Sequence, residues 1–156
     1  MSKYETAVSI MEERFGNEKD VIISLATIAN APSENVPRPA VRNINAYYED
    51  SVFYAVTYAE SNKMRQIASN PEVAVDVCSE WFTASGTGEN LGWVLDPKNA
   101  DIREKLRKVF AEWYDHANNE QDQNCCILAI RLKNGMLIKD HGAERYEIDF
   151  ANKTAQ

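Results

Sequence analysis

The sequence predicts a mainly β protein, a closed or split antiparallel barrel decorated by helices. Three observations lead there. Seven or eight short β-branched or alternating segments punctuate the 156 residues. Most of them are joined by connections short enough to be hairpins. Two substantial helices and one short one lie among them, without the regular strand–helix alternation of an open α/β sheet. One domain accounts for the whole length, residues 1–156.

Taken in order, Tyr4–Phe15 reads as an amphipathic helix, with Tyr4, Val8, Met11 and Phe15 on one face and Gly16 as its stop. Asp20–Ala29 is a β-branched strand, and the Pro- and Asn-rich stretch Asn30–Pro39 reads as a loop. Ala40–Tyr48 and Val52–Thr57 alternate around a tight turn and form a hairpin. Ser61 then caps a short helix from Asn62 to about Ser69, which ends before Asn70-Pro71. Glu72–Trp81 alternates, with Val73, Val75 and Val77 on one face. Phe82–Asp96, with three glycines, reads as a strand with bends or bulges. Pro97–Ala117 is the second clear helix, its apolar face Ile102, Leu106, Val109, Phe110 and Trp113. Asn134-Gly135 marks a hairpin between two strands within Cys125–Asp140, and Arg145–Lys153 is a last strand.

Composition narrows the function. A net charge of -7 and a pI near 4.9 argue against nucleic acid as a partner. The longest apolar run, around Val21–Ala31, is too short and too polar for a membrane span, and the N-terminus has no apolar signal region, so a cytoplasmic protein is expected. Cys78, Cys125 and Cys126 make an odd count that fits inert buried thiols. With only His116 and His141, far apart, no zinc spacing exists. No nucleophile elbow or paired acids are found, so no catalytic side chain is assigned.

One constellation points to an anion. Lys63 and Arg65 fall in the first turn of the short helix, where bases are disfavoured by the dipole. A phosphate at the helix N-terminus, beside its free N–H groups, accounts for Lys63. The hairpin is expected to bring Arg42 near Thr57 and this helix end, with Arg38 also within reach. Each cation alone is equally well an ordinary surface residue; together they are more specific. The segment Glu80–Trp93 pairs glycines with aromatics, a combination that admits and covers a flat ligand, or simply a bulged barrel corner.

The stretch from Pro37 to Val77, with PRPAVRN followed by FYAVTYAESNKMRQIASNPEVAV, resembles the pyridoxamine 5'-phosphate oxidase-like family of FMN-binding split barrels. The resemblance rests on a strand arginine, a threonine ending the next aromatic-rich strand, Ser-x-Lys, a helix and Asn-Pro-x-Val. It is nearest the general stress protein and nitroimidazole-reductase-like branch. It implies a six-stranded antiparallel split β-barrel with FMN at a homodimer interface. By position it implies that Arg42, Thr57, Ser61, Asn62 and Lys63 contact the flavin, and that Val41, Val56 and Trp81 line it. Where the oxidases often carry a second base, this sequence has Asn62.

The function expected is that of an FMN-dependent oxidoreductase acting on a small organic acceptor. The alternatives are a flavin- or haem-binding stress or sensor protein without turnover, and a barrel that has lost its cofactor.

Overall fold

Ser2 starts the first helix of this computed structural model, which describes residues 1–31 and 36–156. Its hydroxyl accepts the Glu5 N–H while the Glu5 carboxylate accepts the Ser2 N–H, a reciprocal cap on α1 (Lys3–Phe15). The chain continues through β1 (Val21–Ala31), β2 (Val36–Glu49), β3 (Val52–Tyr58), α2 (Asn62–Ser69), β4 (Glu72–Val77) and β5 (Phe82–Trp93). Then come α3 (Ala100–Val109), α4 (Tyr114–Ala117), β6 (Cys125–Lys139), β7 (Glu144–Asp149) and β8 (Thr154–Ala155). Among the described residues, no helix is long and apolar enough to cross a membrane.

All strand pairs are antiparallel. The order β3-β2-β1-β4-β5-β6 closes on itself through β3–β6, making a six-stranded barrel that β7 and β8 extend. Two seams are short: β2 pairs with β3 only at Tyr47–Glu49, and β1 with β4 only at Ser24–Ala26. Period-2 alternation sends Ile23, Leu25, Val73, Val75 and Leu128 inward to the main core. Each end of the barrel is plugged by a helix. At one end Phe15 of α1 meets Tyr48, Phe53 and Phe82 at centroid distances of 5.1, 5.7 and 5.1 Å. At the other, Met64 and Ile67 of α2 are buried against β1 and β5. Gly88 makes room for them, since a Cβ there would lie 2.9 Å from Ile67 Cγ2. A second core forms outside the barrel, where Leu106, Phe110 and Tyr114 cover Tyr47, Cys125 and Ile127.

Several expectations need correction. Both ends of the loop expected over Asn30–Pro39 are strand instead, β1 continuing to Ala31 and β2 beginning at Val36; positions 32–35 lie outside the described residues. Pro37 and Pro39 are tolerated because this stretch of β2 pairs on one side only, with β1. Asn134-Gly135 is no turn: β6 continues through it, with a register shift at Lys133 just before, and Gly135 pairs with Ala84 on one side and Ile148 on the other. Gly135 serves packing instead, because a Cβ would crowd the rings of Phe82 and Phe150. The helix expected over Pro97–Ala117 breaks after Val109, and the break lets Phe110 and Tyr114 both bury while the Trp113 indole N–H reaches Asp20 Oδ2 at 2.8 Å. The strand expected through Trp81 stops at Val77, where a 3-10 turn, Cys78–Glu80, takes over. The strand expected over Arg145–Lys153 ends at Asp149 as β7; a turn follows, and β8 lies beyond the expected range.

Candidate anion-binding site

Thr27 is an exception in the inward series of β1: a polar residue, 1% exposed, following Ile23 and Leu25. It lies toward the α2 end of the barrel. Arg42, opposite Leu25 on β2, faces the same way. Its Nη1 donates to Thr27 Oγ1 at 2.6 Å and, at longer range, to the carbonyls of Leu25 (3.3 Å) and Ala40 (3.4 Å). Its Nη2 donates to Gln66 Oε1 of α2 at 2.9 Å, and the Thr27 hydroxyl donates to the same oxygen at 2.5 Å. One ring of hydrogen bonds therefore joins β1, β2 and α2.

Lys63 approaches from the first turn of α2. Burial lowers its pKa below the usual lysine value, and the charge of Arg42 lowers it further, while Cys126 acts in the opposite direction. Burial also lowers the pKa of Arg42. Among the described residues neither cation has a carboxylate partner. Two partly buried positive charges that repel each other, in a chain of net charge -7, mark a candidate site for an anion. Ser61 holds the N-cap position of α2, but its side chain caps nothing; its Oγ is buried without a hydrogen-bond partner. Such an orphaned hydroxyl costs free energy unless a ligand satisfies it. The first-turn N–H groups of α2 add further donors at the same place.

The other expected site residues separate. Thr57 pairs with Cys126 across β3–β6, so the two side chains share the inner face beside Lys63. What links Arg42 to this end is Gln66, since the β2–β3 pairing that was expected to bring Arg42 to Thr57 stops at Tyr47. Asn62 is exposed on α2. Val56 lies on the opposite face from Thr57, packed against the second core beneath α3. Val41 is 71% exposed on the outer surface of β2, and Arg38 is exposed opposite Ala29. Trp81, 57% exposed, sits at the α1 end: it precedes Phe82, and Arg14 of α1 donates to the adjoining Glu80 carbonyl at 2.8 Å. Within one chain it is at the far end from Lys63. His116 is exposed on α4, and His141 is exposed with its ring 6.4 Å from that of Trp81. Thr27 and Gln66 escaped the sequence reading. Their signals were there: a polar residue in an inward-facing apolar series, and a glutamine one helical turn after Lys63.

No family model matches the sequence, and no curated protein matches it. Solved structures do. General Stress Protein 26 from Bacillus anthracis str. Sterne superposes with a TM-score of 0.64 at 18% identity, covering 95% of this chain and 100% of that one. A pyridoxamine 5'-phosphate oxidase-related, FMN binding protein from Nostoc punctiforme PCC 73102 gives 0.60 at 16% identity, covering 100% of this chain and 95% of its own. The chain has the fold of the pyridoxamine 5'-phosphate oxidase-related split barrels. A heme binding protein from Mycobacterium smegmatis shares this split barrel, with a TM-score of 0.62, 12% identity, and coverage of 93% of this chain and 59% of that one. The two short seams, β2–β3 and β1–β4, are where this split barrel opens, and α2 with its cations sits beside them.

Proposed function

We propose that the chain binds FMN at the Arg42–Lys63 site, as a homodimer with the flavin between the two copies, and works as an oxidoreductase on a small organic acceptor. The observation that carries this reading is a pair of neighbouring cations with no carboxylate partner among the described residues, together with an orphaned serine hydroxyl at the N-cap of the helix that carries Lys63. A flavin mononucleotide phosphate is close to a dianion at neutral pH and matches that charge. Lys63, Arg42, the Ser61 hydroxyl and the first N–H groups of α2 hold the phosphate. Thr57 and the neighbouring backbone of β3 orient the ring. When bound, the flavin supplies the two-electron chemistry that no side chain of the barrel offers. The similarity to an FMN binding split barrel adds support at the level of fold.

The outer face of β1, β4 and β5 supports the homodimer. It opens a trough that runs on over β6 to β8, lined by small residues such as Ser24, Ala26 and Ala74 and by the carboxylates Asp76, Glu147 and Asp149, with exposed Val41 at its edge. The hollow beside Trp81 shares Asp76, Thr83 and Met136 with that trough. A second copy seated there covers Val41 and brings a Trp81 that its own chain holds away from Lys63.

The test is the purified protein's visible spectrum together with its sedimentation. Absorbance bands at about 370 and 450 nm, on purification or after addition of FMN, are expected, in a species of twice the chain mass. A Soret band would favour the haem-binding alternative, and a colourless protein that takes up no added FMN would overturn the flavin reading. Turnover of a reduced nicotinamide with a nitro or quinone acceptor separates an enzyme from a carrier.

A further inference from the structure

We infer that Thr27 and Gln66 form an uncharged stand-in for a carboxylate, which aims Arg42 and leaves one edge of its guanidinium free for two oxygens of the ligand's anionic group. The inference rests on the flavin reading for the identity of that ligand.

A guanidinium has only donors, five of them in a rigid plane. Gln66 must therefore turn its amide oxygen, not its nitrogen, toward Arg42. Thr27 Oγ1 and Gln66 Oε1 lie 2.5 Å apart, one accepting from Nη1 and the other from Nη2. That is how the two oxygens of a carboxylate take the end of a guanidinium fork. The remaining Nη1 hydrogen is directed to the backbone carbonyls of Leu25 and Ala40. Among the described residues, the Nε–H and the second Nη2–H have no acceptor. These two belong to the side edge of the fork and point the same way.

The choice of residues has an electrostatic consequence. A glutamate at position 66 would hold Arg42 equally well but cancel its charge. Threonine and glutamine give the same geometry and leave the full positive charge for the ligand. Because Thr27 is fixed in β1 and Gln66 in α2, the guanidinium is held from two elements before any ligand arrives, which lowers the entropy lost on binding. Gln66 and Thr27 are thus positioning residues, acting on the ligand through Arg42.

The test compares FMN with riboflavin, which lacks the phosphate, by quenching of flavin fluorescence on binding. In the wild type FMN binds more tightly than riboflavin. In Gln66→Glu the affinity for FMN falls at least about tenfold, as expected for loss of one charge-assisted contact, while riboflavin affinity stays within about twofold. Thr27→Val, close in shape to the original, lowers the preference for FMN in the same direction and less. A role confined to packing would lower both affinities together. Gln66→Glu that keeps the wild-type preference for FMN overturns the inference. If that variant does not fold, an unchanged preference in Thr27→Val overturns it instead. A wild type that binds both flavins equally refutes the phosphate assignment, and one that binds neither refutes the flavin reading itself.

Discussion

Lys63→Met isolates the cost and the use of one charge. In the ligand-free protein the Lys63 ammonium is desolvated, repelled by Arg42 and, among the described residues, without a carboxylate partner. Methionine keeps the length and apolar stem and removes the charge. The ligand-free protein should therefore lose no stability; relief of about 1 kcal/mol would raise Tm by about 2–4 °C in a chain of this size. Binding should respond in the opposite direction. A hydrogen bond to a charged group is worth about 1.5–3 kcal/mol, so FMN affinity should drop about ten- to 150-fold. Riboflavin affinity should hardly move, because the proposed binding mode holds the ring away from Lys63. Fluorescence titration with both flavins and a melting curve without ligand measure all three quantities. Equal losses for FMN and riboflavin, or a ligand-free Tm lowered by several degrees, would refute the reasoning, since Lys63 would then be a packing residue.

Two further outcomes follow from the charges and thiols around the barrel. Burial pushes the thiols of Cys125 and Cys126 up to about 11, while Cys78 is exposed. A thiol reagent at pH 8 should label one of the three cysteines quickly and the other two only after denaturation; three fast thiols would contradict this burial. Because these folded-state values lie above the unfolded one, their contribution to stability is full below about pH 8.5 and is lost as the pH rises through about 11. Glu120 accepts from Arg103 Nε at 2.5 Å and Arg107 Nη1 at 2.6 Å, and these partners hold its pKa below the usual carboxylate value. Glu120→Gln should cost about 1–2 kcal/mol, or about 2–8 °C in Tm. The wild type's advantage should be complete above the unfolded carboxylate pKa, about pH 4.3, and should vanish as the pH falls through the folded value. An acid melting profile that is identical for both proteins would disprove it.

The elements that could be read from the sequence are those whose own side chains decide them. α2 spans Asn62–Ser69 as expected; Asn70-Pro71 ends it locally, whereas the side-chain cap expected of Ser61 is not made. β4 places Val73, Val75 and Val77 on its buried face because strict alternation leaves no second choice. The bulge expected in β5 falls between Asn90 and Trp93, around Gly92; the other register shift, at Ser85/Gly86, comes from an extra residue on β6, Lys133, and there a Cβ on Gly86 would collide with the Arg131 carbonyl. What failed was decided across space. Asn134-Gly135 carries a strong turn signal, yet neighbours on both sides hold it in a strand. Lys63 was legible because a base at a helix start is a local anomaly, and Arg42, expected near it, does lie close enough to act on its charge. Their connection was not, because it runs through Gln66 and Thr27, whose roles depend on how α2 folds over β1.

The long sixth strand has a consequence for the order of assembly. β3 pairs with β2 over only three residues, while its whole length, Val52–Tyr58, is matched by Arg131–Cys125 of β6. β5 likewise waits for β6 along its second side. While the chain is being synthesised, everything up to Asn124 can emerge and still carry two unsatisfied sheet edges. Of the six barrel strands the ribosome thus delivers the closing one last, and truncation before it would leave not a smaller barrel but an open sheet prone to pair with its neighbours.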